Sequence, residues 1–195
     1  MDIFRYPLIN RHDGRMVRTW ELWGNVIIAG TFALPLSLLA ILLLSRHRAR
    51  ASHPAPLRTS VADVGMVVGT TPWVWMILTP SSGRTGVGLV PFADLADLVG
   101  APWEVVLVQV GGNLLVFAAL GALVPVRSRA MSSTARVAAL AAAFSVLVEL
   151  LQYTLCLGRF SSVDDVILNT AGAAMAALVT RRWWADRIPA AIVPR

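Results

Sequence analysis

Apolar residues fall into five long runs separated by short polar stretches, and run length more than finer periodicity decides the reading. The first uncharged run, Trp23 to Leu44, has 22 residues. At 1.5 Å per residue that crosses the roughly 30 Å hydrocarbon core of a bilayer. A cleaved signal peptide has an apolar segment of about 7 to 15 residues, so the length, with Arg46, His47, Arg48 and Arg50 behind it, favours a retained anchor helix. A polar linker, Ser45 to Ser60, leads to a second span expected over Val61 to Thr79. Pro72 lies inside it and, lacking a backbone donor, predicts a kink or a division there. Residues 80–102 are rich in Gly and Pro and read as a loop with a short interfacial helix around Phe92 to Leu98. Trp103 to Val124, Val137 to Leu157 and Val163 to Thr180 are the third, fourth and fifth spans. So short a link between the last two predicts a tight antiparallel hairpin.

Composition fits this pattern. The 195 residues are 56% hydrophobic and 14% charged, with a mean hydropathy of +0.67. Soluble domains carry roughly a quarter charged residues, so this chain lacks the polar surface to coat a globule in water. The expected fold class is an all-α, polytopic transmembrane helical bundle of about five spans. Residues 1–60 would hold a tail, the anchor helix and a linker, residues 61–180 the main transmembrane domain, and residues 181–195 a basic tail.

The net charge of +6 comes from 17 Arg and no Lys against 11 acidic residues. Those arginines cluster in the linkers, as in membrane loops, and do not form a nucleic-acid-binding stripe. Eleven fall on one side of the alternating spans and six on the other, so the positive-inside rule places the C-terminus in the cytoplasm. The N-terminus and the loops 80–102 and 158–162 would then be outside. Trp20, Trp23, Trp103, Trp183 and Trp184 lie at predicted span ends, where amphipathic rings prefer the headgroup level, and Trp73 and Trp75 lie in the outer half of the second span. Cys156 is the lone cysteine and reads as packing. His12, His47 and His53 sit in tails and linkers, so no metal site and no cofactor are expected.

Polar residues inside the apolar runs carry the functional information, because ionisable groups in a bilayer are costly. Glu149 and Asn169 lie at matching depth across the last hairpin, with Gln152 and Asp165 one turn nearer its mouth and Asn113 reaching the same layer from the third span. Glu149, Gln152 and Cys156 form one helical stripe, and Asp165, Asn169 and Gly172 form another. Arg159 would cap this cluster from the loop, and Asp164 would face solvent or Arg159. At its depth Glu149 must be neutral or paired, and an ion pair with Arg159 is the plainest structural role for it. Asp164 and Asp165 could merely start a helix behind Ser162, and Asn113 and Asn169 could merely join helices. Gly111, Gly112, Gly121 and Gly172 would permit close helix approach.

These residues resemble a known family. Glu149-Leu-Leu-Gln152, Gly158-Arg159 and Val163-Asp164-Asp165-Val166-Ile167-Leu168-Asn169-Thr170-Ala171-Gly172 resemble the signature of the VanZ-like membrane proteins. Asn113-Leu-Leu-Val-Phe117 and Leu89-Val90-Pro91-Phe92 resemble its upstream motifs. The resemblance covers about residues 61–180. Ser162 stands where the family often has a further acidic residue, Ala119 where it often has proline, and Gly88 where the loop motif has asparagine. The resemblance implies a bacterial plasma-membrane protein, in a family whose founding member is linked to teicoplanin resistance.

Three readings of function follow. In the first, the protein binds or acts on an amphiphilic envelope molecule, a lipid-linked precursor or a lipoglycopeptide, at an outer-leaflet polar site. Glu149 and Asp165 would then be the acid-base groups, and Asn113, Gln152, Arg159, Asp164 and Asn169 the binding groups. The second is a proton-coupled transporter carrying protons on Glu149 and Asp165, against which stands the lack of an inverted repeat. The third is a structural scaffold in which the cluster only joins helices. Apart from the bilayer and such a ligand, no partner is implied, nucleic acid included.

Overall fold

The computed structural model describes the backbone of residues 11–81, 83 and 85–185, and the side chains of residues 31 onward within that range. Of the arginines counted for orientation, Arg5, Arg84, Arg187 and Arg195 lie outside the described residues, as do the side chains of His12, Trp20 and Trp23. The chain divides into two units, Met1–Ala40 and Ile41–Arg195. Helix α1 (Arg11–Arg50) is longer than the span predicted inside it, and its stretch Thr31–Arg50 is apolar enough to cross a bilayer. Its side chains Phe32, Leu34, Leu36, Leu38, Leu39, Leu42 and Leu43 are exposed, as a lipid-facing helix requires.

In the second unit α2 (Pro56–Leu78) starts on a proline, whose missing donor costs nothing in a first turn. It runs unbroken past Pro72, so the helix is not divided. The third span is one helical path in four pieces: α4 (Trp103–Val106), a π-helical turn (Leu107–Gly111), α5 (Gly112–Val116) and α6 (Ala118–Arg127). Before it, in the loop after α2, α3 (Ala93–Asp97) is the short helix expected there. The last hairpin is α7 (Thr134–Thr154) and α8 (Val163–Val179). Among the described residues α1, α2, the third span and α7 are long and apolar enough to cross a membrane. At 17 residues, α8 extends roughly 25 Å.

Small residues set the spacing of these helices. A Cβ on Gly172 would lie 1.9 Å from the Leu114 carbonyl oxygen, and one on Gly121 would lie 2.2 Å from the Ala173 oxygen. So α8 rests backbone to backbone on the third span, with Ala173 and Ala177 fully buried in the seam. Helix α2 presses its glycines on side chains of α6: a Cβ on Gly65 would meet the Leu123 Cδ1 at 2.7 Å and one on Gly69 would meet the Ala119 Cβ at 2.5 Å. Phe117, Val137, Ala141 and Val148 complete the core. At the end where α2 begins, Asp63 accepts from Arg48 and from Arg127, the latter at 2.8 Å, tying three helix ends together.

Three features depart from the sequence reading. Helix α7 stops at Thr154, because Cys156 takes a left-handed conformation (φ +52°) that lets its N–H reach the Tyr153 oxygen and that of Leu157 reach the Gln152 oxygen. Cys156 is therefore exposed in a turn and belongs neither to the core nor to the Glu149 stripe. Two three-residue strands, β1 (Gly86–Gly88) and β2 (Phe160–Ser162), pair in parallel and fasten the 80–102 loop to the hairpin. The glycines admit the Phe160 ring, which would touch a Cβ on either at 2.8 Å. Trp184 is not interfacial but buried, donating its indole N–H to the Ala177 oxygen, whereas Trp75, Trp103 and Trp183 are exposed.

Candidate functional site

The site grows from the mouth of the α7–α8 hairpin. Ser162 caps α8 by accepting the Asp164 N–H at 3.1 Å, while its hydroxyl donates to Asp94 and its own N–H donates to the Glu149 carboxylate at 3.1 Å. Ser161 adds a hydroxyl donated to the Glu149 backbone oxygen. One turn later Asp165 accepts from the Asn113 amide, which joins α8 to α5. Asn169 donates to the Ser145 hydroxyl at 2.8 Å, so it meets α7 one turn away from Glu149.

Gln152 and Arg159 reach the other way, to the end of α2. A helix leaves its last carbonyls without intrahelical partners. Gln152 donates to the Ile77 oxygen at 2.7 Å, and Arg159 donates to the Met76 and Thr79 oxygens at 2.9 and 3.2 Å. A guanidinium there also complements the negative end of the α2 dipole. Arg159 thus does not bridge to Glu149, and among the described residues no carboxylate stands within ion-pair distance of it. The plain structural pairing expected from depth is replaced by the needs of the α2 carbonyls.

Asp164 has a different place from the one its sequence neighbours suggest. It is 1% exposed and accepts the N–H groups of Phe92 and Leu95, the latter at 3.1 Å. It faces neither solvent nor Arg159. It holds the first turn of α3, where Phe92 adopts a left-handed φ of +65° that an unrestrained phenylalanine avoids. Loop and hairpin are locked by this carboxylate together with the β1–β2 pair.

The remaining six site residues, Asn113, Glu149, Gln152, Arg159, Asp165 and Asn169, line one cleft of about 440 Å³ between α2, the third span, α7 and α8. That volume suits a small molecule or a head group. Asn169 is buried, and its Oδ1 has no hydrogen-bond partner. A buried acceptor without a donor costs about 1–3 kcal/mol, and a hydroxyl or N–H of a ligand in the cleft would relieve it. The cleft can therefore offer a cation at its rim, two carboxyl groups able to exchange a proton, and amide groups that accept and donate. Among the described residues no cluster of three or more His, Cys, Asp or Glu is placed to hold a metal ion.

Sequence reasoning passed over Gln109 and misread Gly111 and Gly112. Gln109 lines the cleft from the π-helical turn, a distortion often found at functional sites. Its signal was available, as the lone polar residue in Val105 to Val110, four residues before Asn113. The two glycines make no close helix contact: a Cβ on Gly111 would meet nothing nearer than its own helix's Leu107 at 3.6 Å, and one on Gly112 nothing within 4 Å. Gly112 lines the open cleft directly after the π-helical turn.

No curated protein and no solved structure matches the chain. A family model does, that of VanZ/LLP1, over residues 64–184, which runs from within α2 through α8 and takes in every residue of the cleft. Extending over more than half of the sequence and agreeing with the motifs around Glu149, Arg159 and Asn169, the match makes this chain a member of the VanZ/LLP1 family.

Proposed function

We propose that the protein resides in a bacterial plasma membrane with its C-terminus cytoplasmic, and that its cleft receives the head group of an amphiphilic envelope molecule from the outer leaflet. The observation that carries this reading is the composition of one cleft inside an apolar bundle. Among the described residues it has a guanidinium with no carboxylate partner at the rim and an amide oxygen with no donor in the floor. An anionic group would sit against Arg159, and hydroxyl or N–H donors of the same head group would satisfy Asn169, Glu149 and Asp165. Of the two carboxyl groups, Glu149 is held by the backbone of Ser162 and Asp165 by Asn113, so both are fixed in the positions from which they would exchange protons.

Family membership raises glycopeptide susceptibility as the assay. Cells producing the protein are compared with cells producing Glu149→Gln and Arg159→Lys, with surface amounts matched. Teicoplanin tolerance is expected to fall toward the empty-vector level in both. Glu149→Gln keeps size and hydrogen bonding, so full activity in that variant would end the acid-base role. Arg159→Lys keeps charge without the planar fork, so full activity there would end the anion clamp.

A further inference from the structure

The cleft is open sideways as well as outward. Helix α2 touches the third span closely at Gly65 and Gly69, both against α6, and has little contact with Trp103–Gly111. From Gly69 to Met76 is seven residues, roughly 10 Å of helix, and over that distance the two spans separate. Met76 on one edge and Val108 on the other both line the cleft, yet they are 49% and 71% exposed. Their neighbours Trp75 and Leu107 are exposed too. In a helix bundle inside a bilayer, exposed apolar side chains at this level face hydrocarbon. The π-helical turn lies at this gap, and Gly112, with nothing within 4 Å of its Cβ position, lines the same cleft as Asn169.

We infer that the ligand is a lipid of the surrounding leaflet that enters between α2 and the π-helical turn, leaving its hydrocarbon chain against Met76 and Val108 while its anionic head group occupies the cleft. This rests on the head-group reading above and narrows it: a water-soluble head group without a chain would lack half of its contacts. A polyprenyl phosphate and a diacyl phosphatidate share the needed chemistry, a phosphate on a hydrocarbon anchor.

The full chain in vesicles, carrying a benzophenone side chain at Val108 or, as control, at Leu147 on the lipid-facing side of α7, is photolysed with a long-chain polyprenyl phosphate or a phosphatidate present. Labelling at Val108 is expected to exceed that at Leu147 by roughly tenfold for at least one of them, which also identifies the anchor, tenfold being about 1.4 kcal/mol of preference. Gly112→Leu, whose side chain would project into the cleft from a Cβ position with nothing within 4 Å, and Arg159→Gln should each remove the excess. Gly112→Ala, smaller, should reduce it and guards against a fold defect in the leucine variant. Equal labelling at the two positions, or an excess indifferent to both variants, means ordinary boundary lipid and overturns lateral entry. A short-chain soluble phosphate monoester, followed by native mass spectrometry, separates the two ideas. If it binds in an Arg159-dependent way while Val108 shows no excess, the head-group site stands and the lateral path falls. If neither it nor any lipid shows Arg159-dependent binding, the head-group site falls and this inference with it.

Discussion

Replacing Gly172 by alanine adds one methyl group where none fits. Its Cβ would lie 1.9 Å from the Leu114 oxygen, 2.6 Å from the carbonyl carbon and 2.7 Å from the Cα, against an ordinary contact of at least 3.4 Å. These are backbone atoms, so no rotamer change relieves the overlap, and α8 and the third span must part by roughly 1.5 Å. Overpacking of this kind costs about 1–3 kcal/mol, and the upper end applies where nothing can swing aside. Alanine returns about 1 kcal/mol in helix propensity. The net is about 2 kcal/mol, which for a chain of this size lowers the melting temperature by roughly 4–8 °C. Gly112→Ala is the matched control: the same methyl, an ordinary helical backbone, empty space around it, and hence a melting temperature equal to or about 2–4 °C above the parent. Both are read by fluorescence-detected thermal unfolding of the protein in nanodiscs. If Gly172→Ala melts with the parent, or the two variants shift together, the backbone-to-backbone seam between α8 and α5 is wrong.

Two further outcomes follow from the loops. Asp164→Ala removes the acceptor of the Phe92 and Leu95 N–H groups, each bond worth about 1.5–3 kcal/mol when the acceptor is charged. The 80–102 loop should become sensitive to protease well below global melting, with Asp164→Asn intermediate, and an equally resistant loop in the alanine variant would refute the anchor. Cys156, exposed in the turn after α7, reports orientation: a membrane-impermeant maleimide should label it on intact cells. Labelling only after permeabilisation would invert the proposed topology.

What the sequence made legible is what length and depth decide. Span positions follow from charge-free runs, and Asn113, Glu149, Gln152, Asp165 and Asn169 converge because equal depth on adjacent helices brings them together. What stayed hidden depends on partners distant in the chain or on backbone states that many residues can adopt. Asp164 looks like any helix-start carboxylate until Phe92 and Leu95, some 70 residues earlier, fold under it. Arg159 was paired with the nearest acid in depth, whereas the unsatisfied carbonyls ending α2 had the stronger claim. Cys156 closes α7 in a conformation usually left to glycine, so side-chain periodicity carried the helix too far. A π-helical turn has no compositional mark, and Gly111 and Gly112 read as packing glycines because nothing local shows that no neighbouring helix approaches them.

The parallel pairing of Gly86–Gly88 with Phe160–Ser162 has a consequence for how the protein is made. Its two strands leave the ribosome far apart in time and belong to segments that must first arrive on the same side of the bilayer. Until α7 has been inserted and the chain behind it delivered, β1 has no mate, Asp164 is not there to hold α3, and the α2 carbonyls lack Gln152 and Arg159. The nascent chain therefore passes through a stage with its early helices threaded and its cleft unbuilt. The last hairpin acts as the clasp, so a truncation before Phe160 should yield a membrane-inserted but binding-dead product.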